Sequence, residues 1–234
     1  MKNTLRLLAK MIDHSLLHPT MTDADLDEGC RLARTLDVAS VCIKPYAVER
    51  AQRMLDGSDV AVCTVIGFPH GSSLVEAKIH ETGLAIAQGA TELDVVVNIG
   101  KVLSTDWTYV DEEVGRLNAY ITSKNAIMKL IFENDYLPSD ETKKRLCDAC
   151  NKHDVAFAKT STGYGFVRNE KGMYSYSGAT DHDLALMRAA CKPSVQIKAA
   201  GGVRTLDDLL RVQALGVTRV GATATAAILA EARK

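Results

Sequence analysis

The 234-residue chain predicts an α/β fold, a single-domain (β/α)8 TIM barrel covering residues 1–234. Three observations predict it. Eight apolar, β-branched runs recur along the chain, amphipathic helical patterns lie between them, and the repeat averages about 29 residues, close to the length of an eight-fold barrel of roughly 250 residues. The runs are mostly continuous rather than alternating, as expected for strands of a parallel sheet covered on both faces. The competing architecture, an open doubly wound sheet, carries a glycine-rich dinucleotide turn after its first strand. Here Asp13-His14-Ser15-Leu16-Leu17 stands in that place, and no GxGxxG occurs.

In chain order, the first and shortest run surrounds residues 11–17. A helix over 23–36 follows, opened by Thr22-Asp23-Ala24-Asp25, acidic residues suited to a helix N-terminus. Runs at 38–43 and 60–67 read as strands. The segment 73–88 carries Leu74, Ala77, Leu84 and Ala85 at near-helical spacing and stops before Gly89. Strands are expected at 93–98 and 127–133. Pro138-Ser139-Asp140-Glu141 opens a helix running to about His153. Strands at 155–160 and 195–200 come next. Thr205 caps a helix over 206–215, with Asp208 three residues on and Gly216 behind it. The last strand covers 219–222.

Composition excludes several classes. With 28 Lys and Arg against 29 Asp and Glu, the net charge is -1, which argues against a dedicated nucleic-acid binder while allowing a local basic pocket. No apolar run reaches the ~18 residues of a membrane span. The start, Met1-Lys2-Asn3-Thr4-Leu5-Arg6, lacks the apolar stretch and cleavage site of a signal peptide. Six cysteines in a chain too long to need staples read as reduced thiols in the cytoplasm.

In such a barrel the chemistry sits at the C-terminal ends of the strands. Three lysines stand inside apolar runs: Lys129, Lys159 and Lys198. Lysine is rarely buried without a partner, and one alone reads as half of an ion pair or a snorkelling edge residue. Three on neighbouring strands point instead to one cavity. A second ammonium and partial desolvation disfavour the charged form of a lysine. Lowering a lysine from its usual ~10.4 to about 7 requires ~4.6 kcal/mol. The neutral amine can then attack a carbonyl and form a Schiff base. Asp94, entering the strand Glu92-Leu93-Asp94-Val95, reads both as a structural partner of the lysines and as the proton shuttle that Schiff-base chemistry needs. Asp13 is a further candidate for the cluster, and Glu133 a weaker one. Glycine-rich strand ends form a second constellation: Thr160-Ser161-Thr162-Gly163, Gly201-Gly202 and Gly221-Ala222-Thr223. After the last two strands of a barrel, such turns often bind phosphate.

With these residues in view, the sequence resembles the 2-deoxyribose-5-phosphate aldolase family, Schiff-base aldolases on the eight-fold barrel. The matching segments include Ile12-Asp13-His14-Ser15-Leu16-Leu17, Thr64-Val65-Ile66-Gly67-Phe68-Pro69, Glu92-Leu93-Asp94-Val95-Val96-Val97-Asn98, Lys159-Thr160-Ser161-Thr162-Gly163 and Lys198-Ala199-Ala200-Gly201-Gly202-Val203. They span nearly the whole chain. The resemblance implies that Lys159 forms the imine with acetaldehyde, Lys198 perturbs it, Asp94 serves as acid-base, and Lys129 belongs to the same pocket. Thr160, Thr162, Gly163, Gly201, Gly202, Gly221, Ala222 and Thr223 would hold the phosphorylated sugar. The implied reaction splits 2-deoxy-D-ribose 5-phosphate reversibly into D-glyceraldehyde 3-phosphate and acetaldehyde, without metal or cofactor.

Three departures stand out. The segment from Tyr164 to Thr180 is longer than is common in the family. Asn134 follows Glu133 where a threonine is expected. The chain ends at Glu231-Ala232-Arg233-Lys234, lacking a tail tyrosine that some members use in proton transfer. The alternative reading is therefore a related Schiff-base aldolase whose 164–180 loop selects a different or non-phosphorylated substrate. A third reading, from another class, is a non-catalytic barrel that binds a phosphorylated metabolite as a sensor. Cys147 and Cys150 form a CxxC inside a helical pattern with no partner pair, and a helix face is its expected place. Cys42 reads as a small core residue near the pocket. The six histidines include no helical zinc pair. A homodimer is compatible with the sequence, which carries no decisive interface signal.

Overall fold

Eight short strands pair side by side until the last meets the first. In the computed structural model, which describes residues 2–137, 139–168 and 170–233, they are β1 (Ile12–Leu16), β2 (Ser40–Ile43), β3 (Ala61–Ile66), β4 (Glu92–Val96), β5 (Ile127–Ile131) and β6 (Phe157–Lys159), followed after a small antiparallel hairpin of β7 (Val167–Arg168) and β8 (Tyr174–Ser175) by β9 (Gln196–Ala200) and β10 (Arg219–Ala222). Omitting the hairpin, they close a parallel barrel in the order β1-β10-β9-β6-β5-β4-β3-β2. Every apolar run named from the sequence carries one barrel strand, most of them trimmed at one or both ends, with β10 matching its run and β4 beginning one residue early, so the expected (β/α)8 architecture is observed. No helix among the described residues is long and apolar enough to cross a membrane.

The helices are α1 (Lys2–Ala9), α2 (Asp23–Leu36), α3 (Val48–Leu55), α4 (Val75–Ala87), α5 (Ile99–Leu103), α6 (Trp107–Thr122), α7 (Asp140–Lys152), α8 (Asp181–Ala190), α9 (Leu206–Ala214) and α10 (Thr225–Glu231). Their starts follow local chemistry. Thr22 and Asp25 form a reciprocal capping box at α2, and Thr205 and Asp208 form another at α9. Ser139 accepts from the Thr142 amide and caps α7; Pro138, named with it from the sequence, lies outside the described residues. One expectation needs correction. Leu74 and Leu84, read as part of the helical stripe, are exposed, because α4 turns Val75, Lys78, Thr82 and Ala85 inward instead. Lys78 is fully buried there, its ammonium 2.7 Å from Glu113 on α6 and 2.7 Å from the Val96 carbonyl.

The period of two in a strand divides the molecule into two interiors. Outward residues such as Ile12, Val41, Leu93, Leu130, Ile197 and Val220 pack with the helices in one continuous apolar core. Inside the barrel, Cys42, Cys63 and Val65 form only a small apolar cluster. Much of the remaining inner space is occupied by charge: Asp13, Glu92, Asp94, Lys129, Lys159 and Lys198 are all buried. Branched apolar residues usually fill this space, so burying ions there at a desolvation cost of several kcal/mol each marks the interior as a place where charge has a use.

Candidate active site

Register brings the charged residues together. Lys159 on β6 faces Lys198 on β9, Asp94 on β4 faces Lys129 on β5, and Lys198 faces Arg219 on β10. Register partners in parallel strands project to the same side, so all five side chains turn into the barrel. The Lys159 ammonium lies 2.7 Å from Asp94 Oδ2 and the Lys198 ammonium 2.6 Å from the same oxygen. The other oxygen, Oδ1, accepts from Lys129 at 3.0 Å and lies 3.2 Å from the Cys63 thiol. Asp94 is thus the hub of three lysines.

Beneath it is a second tier. Asp13 lies 2.5 Å from Lys198 and 3.4 Å from Lys129, and it accepts from Arg219 at 2.6 Å and from the Ser40 hydroxyl at 2.7 Å. Glu92 lies 2.6 Å from Lys129 and 3.0 Å from Arg219. Neither Glu92 nor Arg219 was named from the sequence. Each stands two residues before a named position, Asp94 and Gly221, on the same strand face, but what it meets there is set by closure of the barrel.

Burial would push Asp94 toward its neutral form, but Lys129, Lys159 and Lys198 outweigh it and hold the carboxyl well below its ordinary value. Asp13 is held below its ordinary value in the same way by Lys129, Lys198 and Arg219. For Lys198, burial is again the largest opposing influence, and Asp13 and Asp94 together overcome it and keep the ammonium charged. Lys129 behaves likewise. Lys129, Lys159, Lys198 and Arg219 face Asp13, Glu92 and Asp94, four cations against three anions. The buried cluster reaches neutrality when a single amine gives up its proton.

A cavity of about 520 Å³ opens above this cluster at the C-terminal ends of the strands. Lys159 and Lys198 reach its floor, and Thr162, Gly163, Gly201, Gly202, Gly221, Ala222 and Thr223 form part of its wall. The left-handed backbone at Gly201 (φ 86°) and Gly202 (φ 91°) turns the chain sharply here, and a side chain on Gly201 would collide with Gly178 and Tyr176. Asp13, Asp94 and Lys129 lie below the floor. Thr160 is placed elsewhere than expected. Its hydroxyl is fully buried and bonded to the Ala200 amide at 3.0 Å and the Ala200 carbonyl at 3.2 Å, so it ties β6 to β9 and does not line the cavity. Glu133 accepts from the Thr162 amide at 3.2 Å and from its hydroxyl; burial raises its carboxyl above the ordinary value. It supports the loop after Lys159 from the side. Asn134 donates its amide N–H to the Thr160 carbonyl at 2.9 Å.

The long segment after Gly163 forms the β7–β8 hairpin. Tyr164, Phe166 and Tyr176 line the cavity from it, with Phe166 and Tyr176 edge to face at 5.3 Å. Asp135 fixes its return by accepting from the Ser177 amide at 2.5 Å and the Gly178 amide at 3.0 Å. Asn169 lies outside the described residues. Cys42, Cys63 and Asp94 offer ligand atoms within 4.8 Å of one another. Three ammonium groups already bond that carboxylate, so the donor set does not suit a further cation. Cys147 and Cys150 are buried on α7, in the helix-face position expected for them.

Residues 7–228 match the DeoC/LacD family aldolase profile. A deoxyribose-phosphate aldolase of Rhodopirellula baltica is 50% identical over 227 residues, which are 97% of this chain and 90% of the relative. One from Caldanaerobacter subterraneus subsp. tengcongensis is 38% identical over all of this chain and 96% of its own. Among solved structures, a deoxyribose-phosphate aldolase from Aeropyrum pernix, described as a unique tetramer, superposes with a TM-score of 0.87 at 27% identity, covering 99% of this chain and 93% of that one. Sequence and architecture agree over nearly the full length, and the chain belongs to the DeoC/LacD family of aldolases.

Proposed function

We propose that this protein is a Schiff-base aldolase that reversibly cleaves 2-deoxy-D-ribose 5-phosphate into D-glyceraldehyde 3-phosphate and acetaldehyde. The observation that carries this reading is the meeting of Lys159 and Lys198 on one oxygen of Asp94, at 2.7 and 2.6 Å, on the floor of a cavity rimmed by glycine turns. Lys159 is the nucleophile. Its ion pair is with Asp94 alone, whereas Lys198 also holds Asp13. Loss of a proton from Lys159 therefore breaks the fewest ion pairs.

The neutral Lys159 amine adds to the aldehyde carbon of the open-chain sugar, and the carbinolamine loses water to give a protonated imine. The imine draws electrons from the bond between C2 and C3. Asp94 accepts the C3 hydroxyl proton, directly or through water, as that bond breaks. Glyceraldehyde 3-phosphate leaves and an enamine of acetaldehyde remains on Lys159. Protonation of the enamine carbon regenerates the imine, and addition of water releases acetaldehyde and the free amine. Lys198 stays charged and returns Asp94 to its position at each proton transfer. The phosphate lies against the backbone amides of Gly163, Gly201, Gly202 and the 221–223 turn, where no side chain blocks approach.

The aromatic hairpin bears on substrate range, since Tyr164, Phe166 and Tyr176 stand where the far end of a sugar would lie. Product formation from 2-deoxy-D-ribose 5-phosphate, compared with unphosphorylated 2-deoxy-D-ribose, tests the assignment: release of both aldehydes from the phosphorylated sugar supports it, and faster turnover of the unphosphorylated one would transfer it to the alternative substrate class. The six free, buried thiols suit a reducing cytoplasm. A homodimer is the proposed assembly, to be checked by light scattering.

A further inference from the structure

Two thiols stand directly behind the catalytic carboxylate. Cys42 and Cys63 are register partners on β2 and β3, and their sulfurs are 3.7 Å apart. Neighbouring parallel strands lie roughly 4.8 Å apart, and disulfides span Cα separations of roughly 4.4–6.8 Å, so the backbone already sits where a bond is permitted. The sulfurs need only rotate from 3.7 Å to ~2.05 Å. Cys42 lines the cavity, while Cys63 is completely buried behind it. The other four cysteines, Cys30, Cys147, Cys150 and Cys191, are buried away from that cavity.

We infer that Cys42 and Cys63 are a peroxide-sensitive thiol pair whose disulfide disables Asp94 and so switches the aldolase off reversibly. The inference rests on the aldolase reading above. Cys42 is the attacking thiol because small molecules in the cavity reach it first. Its sulfur attacks one oxygen of hydrogen peroxide, the O–O bond breaks, and one water leaves with a sulfenic acid formed on Cys42. Cys63 then attacks the Cys42 sulfur, the S–O bond breaks, and a second water leaves. Two thiols lose two electrons in total and the peroxide gains them. The surroundings favour this division of labour. The hydrogen bond from Cys63 lowers the Cys42 thiol below its ordinary value, whereas burial raises Cys63.

The consequence for catalysis follows from what Cys63 touches. Its thiol is 3.2 Å from Asp94 Oδ1 and 3.2 Å from the Lys129 ammonium, and Cys42 is 3.9 Å from Asp94 Oδ2, the oxygen shared by Lys159 and Lys198. Closing the S–S bond removes the thiol hydrogen that Cys63 shares between Cys42 and Asp94 and draws its sulfur away from Oδ1. Asp94 then settles toward its lysines in a changed orientation, and displacements of about 1 Å at a catalytic group can cost up to a hundredfold in rate.

The test treats the whole protein with hydrogen peroxide, alkylates remaining thiols and maps the peptides without reduction, while product release is followed in parallel. The expected result is a peptide joining Cys42 to Cys63, lighter by two hydrogens, appearing in step with a rate loss of roughly tenfold or more, and full recovery with dithiothreitol. Cys63→Ser should abolish the link; with no resolving thiol, a second peroxide carries the Cys42 sulfenic acid on to sulfinic acid, losing a further water, and dithiothreitol no longer restores activity. Two results would overturn the inference: oxidation of Cys42 to sulfinic acid with no link in the parent protein, or a complete Cys42–Cys63 link with undiminished turnover. The mapping needs no turnover, so an inactive untreated protein would count against the aldolase reading alone.

Discussion

Lys159 and Lys198 are register partners on adjacent strands, and both ammonium groups bond the same oxygen of Asp94. Two like charges converge on one buried carboxylate oxygen at the floor of the cavity. The arrangement is stable only because Asp13 and Glu92 supply further negative charge below it, and one more cation than anion remains among the seven groups.

That count predicts the effect of removing Lys198. In Lys198→Met, three cations face three anions, and the surplus that lets an amine release its proton disappears. Turnover at neutral pH should fall by about 10²–10⁴, the range of a lost acid-base partner, and the remaining activity should rise with pH further into the alkaline range than in the parent. A pH–rate profile of the same shape in both proteins would refute the role given to Lys198.

A second ion pair holds the frame around Asp94. Lys78 and Glu113 are both fully buried at 2.7 Å, and Glu113 also accepts the Asn98 amide at 2.8 Å, four residues beyond Asp94. Glu113→Gln leaves the Lys78 ammonium uncompensated and should destabilise the fold by ~3–5 kcal/mol. At roughly 2–4 °C per kcal/mol for a domain of this size, thermal melting should show a fall on the order of 10 °C. The double change Lys78→Met with Glu113→Leu should recover much of that loss, because no charge is stranded.

Acid should act on His14 before it reaches the carboxylates. This ring is buried, its Nδ1 2.8 Å from the Thr225 hydroxyl, and burial lowers its pKa from 6.5 to about 4. The unfolded chain binds that proton near pH 6.5 and the folded one only near 4. The stabilisation from the neutral ring is therefore complete above about 6.5, is lost as pH falls toward 4, and reaches on the order of 3 kcal/mol. Urea midpoints measured from pH 7 to 4.5 should decline more steeply in the parent than in His14→Asn. Parallel declines would assign the acid sensitivity to other groups.

Much of this was readable in the sequence because barrel strands are local. The runs at 93–98 and 195–200 announced β4 and β9, and a lysine or aspartate inside such a run announced its own burial. Asp13, Asp94, Lys129, Lys159 and Lys198 do converge. The partners Glu92, Arg219 and Cys63 were missed because each is ordinary at its own position; only closure of the barrel sets it against a residue far along the chain, as at 127 residues between Arg219 and Glu92. Thr160 misled for the opposite reason. It neighbours Lys159, but the alternation of a strand's end turns its hydroxyl into the sheet. The α6 helix, Trp107–Thr122, went unnamed although it supplies Glu113, since a buried acid facing a buried lysine on another helix leaves no local pattern. The hairpin rests on a long-range tie as well, Asp135 accepting amides 42 and 43 residues later.

The most direct measurement captures the amine in the act. Acetaldehyde and borohydride are added to the intact protein, and the modified peptide is located by mass spectrometry. A single ethyl group on Lys159, absent from Lys159→Ala, is the result expected of an amine that captures the aldehyde as an imine. An ethyl group mapped to Lys198 or to surface lysines instead, with Lys159 unmodified, would contradict it.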